Sequence, residues 1–332
     1  MTAAAEPGRS IVAVTGASGF VGRRLLAWLL ADGQPAVALS RCGTGLVGVR
    51  EVVVADYADT ARLASSLEGV ELLVHLAARA HLGSAGEDDE ALFHAANVDV
   101  TLAVARACID AGVKRFVLVS SIGVNGHRTT GRPFTADDVP CPAEPYATSK
   151  WEAERALASL LRGTALEYVI LRPPLVYGPG CPGNFGRLVR LVARAPVIPL
   201  GALSALRSFI YVDNLVDALL VAGRHPGIQS GPFLLADGRD ISVGEVVRQL
   251  AAELRPGSSA VRNVPPWLLA GLARCAGRAQ AYAKLASPLQ VDASAFSRAT
   301  GWRAPFDPGD GLRETARHYA APGPASGRAP AP

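Results

Sequence analysis

Between Ser10 and Arg172, short runs of apolar, largely β-branched positions alternate with longer segments whose apolar residues recur every three to four positions. The short runs fall at 11–15, 36–40, 51–55, 72–76, 115–120 and 168–171. The spacing between them predicts helices over 19–31, 59–68, 91–111 and 145–161. Gly33 and Gly112 stand where a helix would close in the left-handed conformation. Near-continuous apolar strands alternating with helices predict an α/β fold, a Rossmann-type doubly wound parallel sheet covered on both faces. Ligands of such sheets bind outside the carboxyl ends of the strands, so chemical residues are to be sought there.

After Arg172 the pattern loses this regularity. Pro173-Pro174, Gly178-Pro179-Gly180 and Pro182-Gly183 form a breaker-rich loop. A helix over 184–195, a strand at 209–212, a helix over 214–223 and a strand at 233–236 follow, the strands being expected to return to the main sheet. Helices near 243–254, 267–276 and 292–300 complete a smaller, mostly helical C-terminal substrate domain. The division expected is a dinucleotide-binding domain from 9–173 and about 206–241, and a substrate-binding region from about 174–205 and 242–318. Tails at 1–8 and 320–332, the latter rich in Ala, Pro and Gly, are expected to be disordered.

The first strand and helix are joined by Thr15-Gly16-Ala17-Ser18-Gly19-Phe20-Val21-Gly22. A tight turn, a bare backbone and free N–H groups at a helix N-terminus are what a pyrophosphate requires. Three glycines alone also describe an ordinary turn; their place between strand and amphipathic helix makes the dinucleotide reading the specific one. At the end of the second strand stand Ser40 and Arg41, with no acidic residue to hold the ribose hydroxyls of NAD. An arginine beside a serine suits a 2′-phosphate, which favours NADP(H) and leaves NAD(H) possible; a solvated loop arginine is the plain alternative. Asp56 can accept from an adenine amino group or simply terminate its strand.

Tyr146-Ala147-Thr148-Ser149-Lys150 opens a predicted helix, so Tyr146 and Lys150 share one face. A cation beside a phenol lowers its pKa from about 10 toward a useful range. With 7 tyrosines and three lysines (Lys114, Lys150, Lys284) in 332 residues, roughly 0.06 such pairs are expected by chance. Ser120 and Ser121 follow the fifth strand, where a hydroxyl can donate to a substrate oxygen or merely make a turn.

Composition narrows the classes. With 49% hydrophobic and 19% charged residues the chain is globular, and a net charge of +4 without basic runs argues against nucleic acid as a partner. Five dispersed cysteines form neither a zinc site nor a disulfide framework, and the six histidines show no metal spacing, so no metal is expected. The first residues lack a signal-peptide core and no run reaches ~18 apolar residues, which predicts a cytoplasmic protein without membrane insertion.

These residues together resemble the extended short-chain dehydrogenase/reductases, the NAD-dependent epimerase/dehydratase group. The resemblance covers about 10–319 and is carried by the glycine loop, Asp56, His75-Leu76-Ala77-Ala78, Asn97, Ser120-Ser121, Tyr146 with Lys150, Arg172 through Gly180, Asn184-Phe185 and Arg207 through Asp213. It implies that Ser121, Tyr146 and Lys150 are the catalytic triad. It also implies that Leu76, Ala77, Ala78, Asn97 and Pro173 border the cofactor, that Asn184 meets the nucleotide, and that Arg207 grips the substrate pyrophosphate. Tyr282 and Lys284 are further candidates for a substrate phosphate. The segments 91–111 and 145–161 are candidates for a homodimer interface, as in the family, or for packing within one subunit.

Departures refine the expected activity. Dehydratases of the group carry Asp-Glu directly after the catalytic Ser/Thr; Ile122-Gly123 stand here, which argues against dehydration. Leu175 replaces an asparagine of many epimerases. The stretch from Ser121 to Thr135 most resembles bacterial UDP-4-keto-6-deoxy-N-acetylhexosamine reductases, such as those forming UDP-N-acetylquinovosamine. The expected activity is a C4 nucleotide-sugar reductase on a UDP-sugar. A UDP-hexose 4-epimerase is the alternative, and a steroid- or flavonoid-type ketone reductase or a non-catalytic NADP-sensing protein are more distant ones.

Overall fold

A computed structural model describes residues 10–80 and 89–320. Seven strands form one sheet: β1 (Ile11–Thr15), β2 (Ala36–Ser40), β3 (Arg50–Val53), β4 (Val70–His75), β5 (Arg115–Val119), β6 (Glu167–Arg172) and β10 (Gly231–Leu234). Their order is β10-β6-β5-β4-β1-β2-β3, and every neighbouring pair is parallel. The direction of winding reverses between β1 and β4, which opens a crevice at their carboxyl ends.

Alternation along each strand sends side chains to two different cores. Val12, Val14, Leu72, Val74 and Val117 face α1 (Phe20–Ala31) and α7 (Val212–Arg224). Ala13, Leu73, Phe116 and Leu118 face the other layer, α2 (Thr60–Ser66), α4 (Val100–Asp110) and α5 (Pro145–Leu160). Burial on both faces is why these strands read as unbroken apolar runs. On the first face, Arg24 of α1 holds the buried Asp213 of α7 with two hydrogen bonds.

The helix Glu90–Asp110 is apolar and long enough to cross a membrane, but half of it is buried inside the protein. It is interrupted by a π-helical turn, Ala95–Asp99, between α3 (Asp89–His94) and α4. Such turns widen a helix by one residue and commonly re-aim a side chain at a functional edge.

Two small sheets and a third core complete the chain. β7 (Leu175–Tyr177) runs parallel to β9 (Phe209–Tyr211), and β8 (Leu206–Arg207) pairs antiparallel with β11 (Ile241–Ser242). The strand expected at 209–212 therefore joins β7 and not the main sheet; only the strand expected at 233–236 returns, as β10. Helices α6 (Gly183–Arg194), α8 (Val243–Leu254), α9 (Pro266–Cys275), α10 (Ala279–Ala286) and α12 (Pro308–Ala320) surround a core built on Tyr177, Phe185, Val189, Tyr211, Val247 and Leu312. α11 (Ser294–Thr300) returns to the first core through Phe296.

Neither α10 nor α12 was among the expected helices, and two glycines lie in the first turn of α12. One of them is a packing residue: a Cβ at Gly311 would lie 2.8 Å from the Tyr177 hydroxyl and the Tyr211 ring. Ala320 closes this helix, and the remainder of the expected tails lies outside the described residues.

Candidate active site

The glycine loop closes on the end of β4 so tightly that only hydrogen fits. Gly16 has φ +64, and a Cβ there would meet the backbone of Leu76 and Ala77 at 2.7 Å. A Cβ at Gly22 would strike the Gly16 carbonyl oxygen. The N–H groups at the start of α1 thereby face the crevice, with Phe20 and Val21 in the first turn of that helix. Helix α1 has no side-chain cap and no acidic residue in its first turn, which leaves its N-terminus available to an anion.

A buried polar chain holds the opposite wall. The Thr15 hydroxyl accepts from the backbone N–H of Leu76 and Ala77, so its own proton points to His75 Nδ1, 2.8 Å away. Thr101 donates to the Asn97 carbonyl and therefore receives the His75 Nε2 proton at 3.1 Å. Burial and the nearby Lys150 push His75 down to about 3, so it is a neutral ring with its proton on Nε2.

Asn97 is fully buried in the π-helical turn. Its amide accepts from the Arg79 N–H and donates to the Arg79 carbonyl and to Ser149 Oγ. Asn97 thus shapes the crevice by pinning the loop after Ala78 to helix α5. Its own donors and acceptors are committed to that task.

Lys150 is 1% exposed, and no hydrogen bond or ion pair reaches it among the described residues. Burial pushes its ammonium down to about 8, opposed by the carboxylate of Glu154 one turn along α5. Glu154 is engaged elsewhere: with Arg172 at the end of β6 it forms a two-pronged pair in which both side chains are 2% exposed. Arg172 also donates to Asn125, which reaches on to the Thr135 carbonyl. This cluster welds β6, α5 and the loop after β5 into one unit behind Lys150.

Tyr146 sits half-buried in the first turn of α5, its ring centroid 6.1 Å from that of Phe93. The expectation that Lys150 lowers this phenol is not met in the protein by itself. Burial pushes Tyr146 up to about 12, and a lysine that is itself weakened by burial does not offset it.

Ser121 caps the short turn Ile122–Val124, accepting from the Gly123 N–H at 3.1 Å. A Cβ at Gly123 would lie 3.2 Å from that of Ala147, so this turn rests on the first turn of α5 beside Tyr146. The Ile122 N–H donates to the Pro173 carbonyl, which fixes the loops after β5 and β6 to each other.

Among the described residues, the buried hydroxyls of Ser40, which ends β2, and Ser120, which follows β5, have no hydrogen-bond partner, and neither a hydrogen bond nor an ion pair reaches the buried Lys150. Buried polar atoms are nearly always paired, so orphans aligned on one sheet edge mark a ligand. Together with the glycine cradle they fit a nicotinamide dinucleotide. Arg41 is exposed, and Asp56 is exposed beyond β3 with one carboxylate oxygen accepting from Ala58 N–H.

The groups expected on the substrate side are more scattered. Asn184 is exposed at the start of α6. Arg207 in β8 is part-buried and already donates from Nη1 to the carbonyls of Lys284 and Ser287 at the end of α10. Lys284 pairs with Glu144, the residue before α5, and the Tyr282 hydroxyl donates to the Pro266 carbonyl. Neither points to a phosphate in this arrangement. Acidic residues near the triad are likewise engaged: Glu154 with Arg172, Glu144 with Lys284, and Asp138 with Arg132.

A groove of about 570 Å³ lined by Trp28, Asp32, Asp217, Arg224 and His225 opens at the far ends of α1 and α7, away from these groups. Among the described residues no cluster of three His, Cys, Asp or Glu side chains could hold a metal ion.

A doubly wound sheet with a glycine-lined crevice, a Tyr/Lys pair and a serine at its carboxyl edge defines an NAD(P)-dependent oxidoreductase of the short-chain dehydrogenase type. The chain belongs to the NAD dependent epimerase/dehydratase family, whose model matches residues 12–236. It is 37% identical over 259 residues, 76% of this chain and 78% of its relative, to a UDP-glucose 4-epimerase of Vibrio cholerae. It is 31% identical over 253 residues, 73% of this chain and 74% of its relative, to a 2-alkyl-3-oxoalkanoate reductase of Stenotrophomonas maltophilia. Among solved structures, MoeE5 in complex with UDP-glucose and NAD aligns with a TM-score of 0.74 at 27% identity, covering 93% of this chain and 98% of that one.

Proposed function

We propose that this enzyme performs oxidation–reduction at C4 of the sugar in a UDP-sugar, without dehydration. The observation that carries the reading is the triad edge itself: a buried Lys150 that no hydrogen bond or ion pair reaches among the described residues, on the helix of Tyr146, with the carboxylates of Glu154, Glu144 and Asp138 already paired. A dinucleotide bound in the crevice supplies or accepts the hydride. Residues Gly16, Gly19, Phe20, Val21 and Gly22 hold its pyrophosphate on the α1 N-terminus, while Ser40 and Arg41 take the adenosine ribose. Lys150 donates to the nicotinamide ribose hydroxyls. Tyr146 transfers a proton to or from the sugar O4, and Ser121 donates a hydrogen bond to that oxygen as charge grows on it. Held as the ammonium by hydrogen bonds to a ribose, Lys150 would bring the Tyr146 phenol down from about 12 toward the working range.

The finer activity is a 4-ketoreductase using NADPH, supported by the orphaned Ser40 hydroxyl beside Arg41 where NAD enzymes keep an acid. The UDP-glucose 4-epimerase similarity favours a second reading, in which the hydride returns to the same sugar. One assay separates them. Protein incubated with a UDP-4-keto-6-deoxy sugar and NADPH should consume NADPH stoichiometrically. Protein that instead purifies with bound NAD and interconverts UDP-hexoses without added cofactor is the epimerase. Failure of both activities with UDP-sugars, alongside turnover of an acyclic or steroidal ketone, would remove the nucleotide-sugar reading.

A further inference from the structure

The chain from 254 to 291 contains no acidic residue, yet it holds Arg255, Arg262, Arg274, Arg278 and Lys284, more positive charge than the whole protein's net +4. Most of this stretch is the helical hairpin α9–α10, which is attached sparsely. Leu269 is the single buried residue of α9, and α10 buries none. At 3.6 residues per turn, Trp267 and Gly271 lie opposite Leu269, and Cys275, Leu268 and Leu272 continue the same arc round one flank of α9, Leu272 being about 60° from Leu269. Trp267 is 74% exposed, Leu272 58% and Leu268 40%, and Leu285 of α10 is exposed as well. Soluble proteins seldom present so many large apolar side chains together, and such patches mark contact surfaces. Arg274 and Arg278 flank the patch without an ion pair among the described residues, whereas Lys284 is held by Glu144.

An apolar helix face with an indole at its edge, rimmed by unpaired arginines and free of carboxylates, is the composition of a helix that lies in a bilayer interface. A protein partner that matched it would need an acidic rim around an apolar centre; an anionic lipid surface offers both over any area. The geometry points to α9–α10 as a docking surface for an anionic phospholipid membrane. Trp267, Leu268 and Leu272 enter the headgroup layer, and Arg274 and Arg278 meet lipid phosphates. The hairpin is joined to β8, because Arg207 donates to the carbonyls at the end of α10, and to the residue before α5 through the Lys284–Glu144 pair. On the proposed function, in which Arg207 faces the sugar diphosphate, docking brings the substrate side of the enzyme to the membrane surface.

The test is co-sedimentation of the full-length protein with vesicles of phosphatidylcholine alone or mixed with phosphatidylglycerol. Binding is expected on the mixed vesicles, weakening with salt, and little on phosphatidylcholine. Changing Trp267→Ser with Leu272→Ser should lower the partition by about tenfold or more at any salt. Changing Arg274→Gln with Arg278→Gln should lower it roughly fivefold per arginine at low salt only. All four side chains are exposed, so melting temperatures should hold, which separates lost docking from lost fold. The inference is overturned by absent vesicle binding, or by variants that partition like the parent. It is overturned equally if the Trp267/Leu272 change dissolves a dimer of a protein that ignores vesicles, since the patch then faces a second copy.

Discussion

The two walls of the active-site crevice are built differently. On the cofactor wall, buried groups saturate one another: Asn97 with Arg79 and Ser149, Thr15 with His75, Arg172 with Glu154 and Asn125. Among the described residues, the groups left without partners there are the Ser40 and Ser120 hydroxyls and the Lys150 ammonium. On the wall proposed for the substrate, Arg207, Tyr282 and Lys284 hold peripheral partners and Asn184 is exposed. A rigid wall serves chemistry that is the same in every turnover, because misplacing a reacting group by a fraction of an ångström is expensive. A looser wall can be refitted, and relatives with a UDP-sugar name and an oxoalkanoate name share this one chain pattern.

Substitutions should therefore be severe on the first wall and mild on the second. The largest effect is expected at Tyr146. Tyr146→Phe keeps the ring against Phe93 and removes only the proton donor, so kcat should fall about a thousandfold or more while dinucleotide binding persists. Turnover within a few-fold of the parent would place the proton transfer on another group. Glu154→Ala comes next, leaving Arg172 charged, buried and short of its partner. A loss of about 3–4 kcal/mol in denaturant unfolding is expected. A loss below about 1 kcal/mol would show that water reaches Arg172 and that the wall is not rigid.

Lys150 links rigidity to pH. Its folded pKa is depressed from 10.5 to about 8, so the ammonium is present below that pH and lost above it. Holding a positive charge there opposes folding below about pH 8, and the penalty fades as pH rises toward 10.5. Dinucleotide binding has the opposite sign: it needs the ammonium, so affinity should be flat below about 8 and weaken about tenfold by one to two pH units above it. Titrating dissociation constants by fluorescence across this range checks the claim, and Lys150→Met should bind weakly with no such break. A parent curve that stays flat to pH 10 would mean that Lys150 is not the group holding the ribose.

Sequence reading anticipated the doubly wound sheet beneath the first wall because its determinants are local. Apolar runs set the strands, the glycine triplet lies between one strand and one helix, and Tyr146 and Lys150 are four residues apart. What it missed depends on distant partners. Glu154 and Arg172 are 18 residues apart, and neither looks unusual until β6 and α5 are packed together. Thr15 and His75 meet across 60 residues, and the histidine could be read only as structural or surface. Ser120 and Ser121 were both legible as strand-end hydroxyls, but the lack of a partner for Ser120 was not. The second wall was legible least: β9 pairs with β7 by a register no periodicity announces, and α12 approaches Tyr177 and Tyr211 through Gly311, a contact between residues far apart in the chain.

The smallest effect, and the sharpest check on the second wall, belongs to Arg207. One face of its guanidinium already serves the carbonyls of Lys284 and Ser287, so only the remaining donors are available to a diphosphate. Arg207→Ala should raise KM for the UDP-sugar about fivefold with kcat nearly unchanged, the pattern of a lost ground-state contact on a wall that adjusts. The same change releases the end of α10, so amide exchange over 279–287 should quicken while exchange in β1 and β4 does not. If instead kcat falls a hundredfold and the exchange pattern stays put, Arg207 is as fixed as Lys150, and the difference between the walls lies in exposure alone.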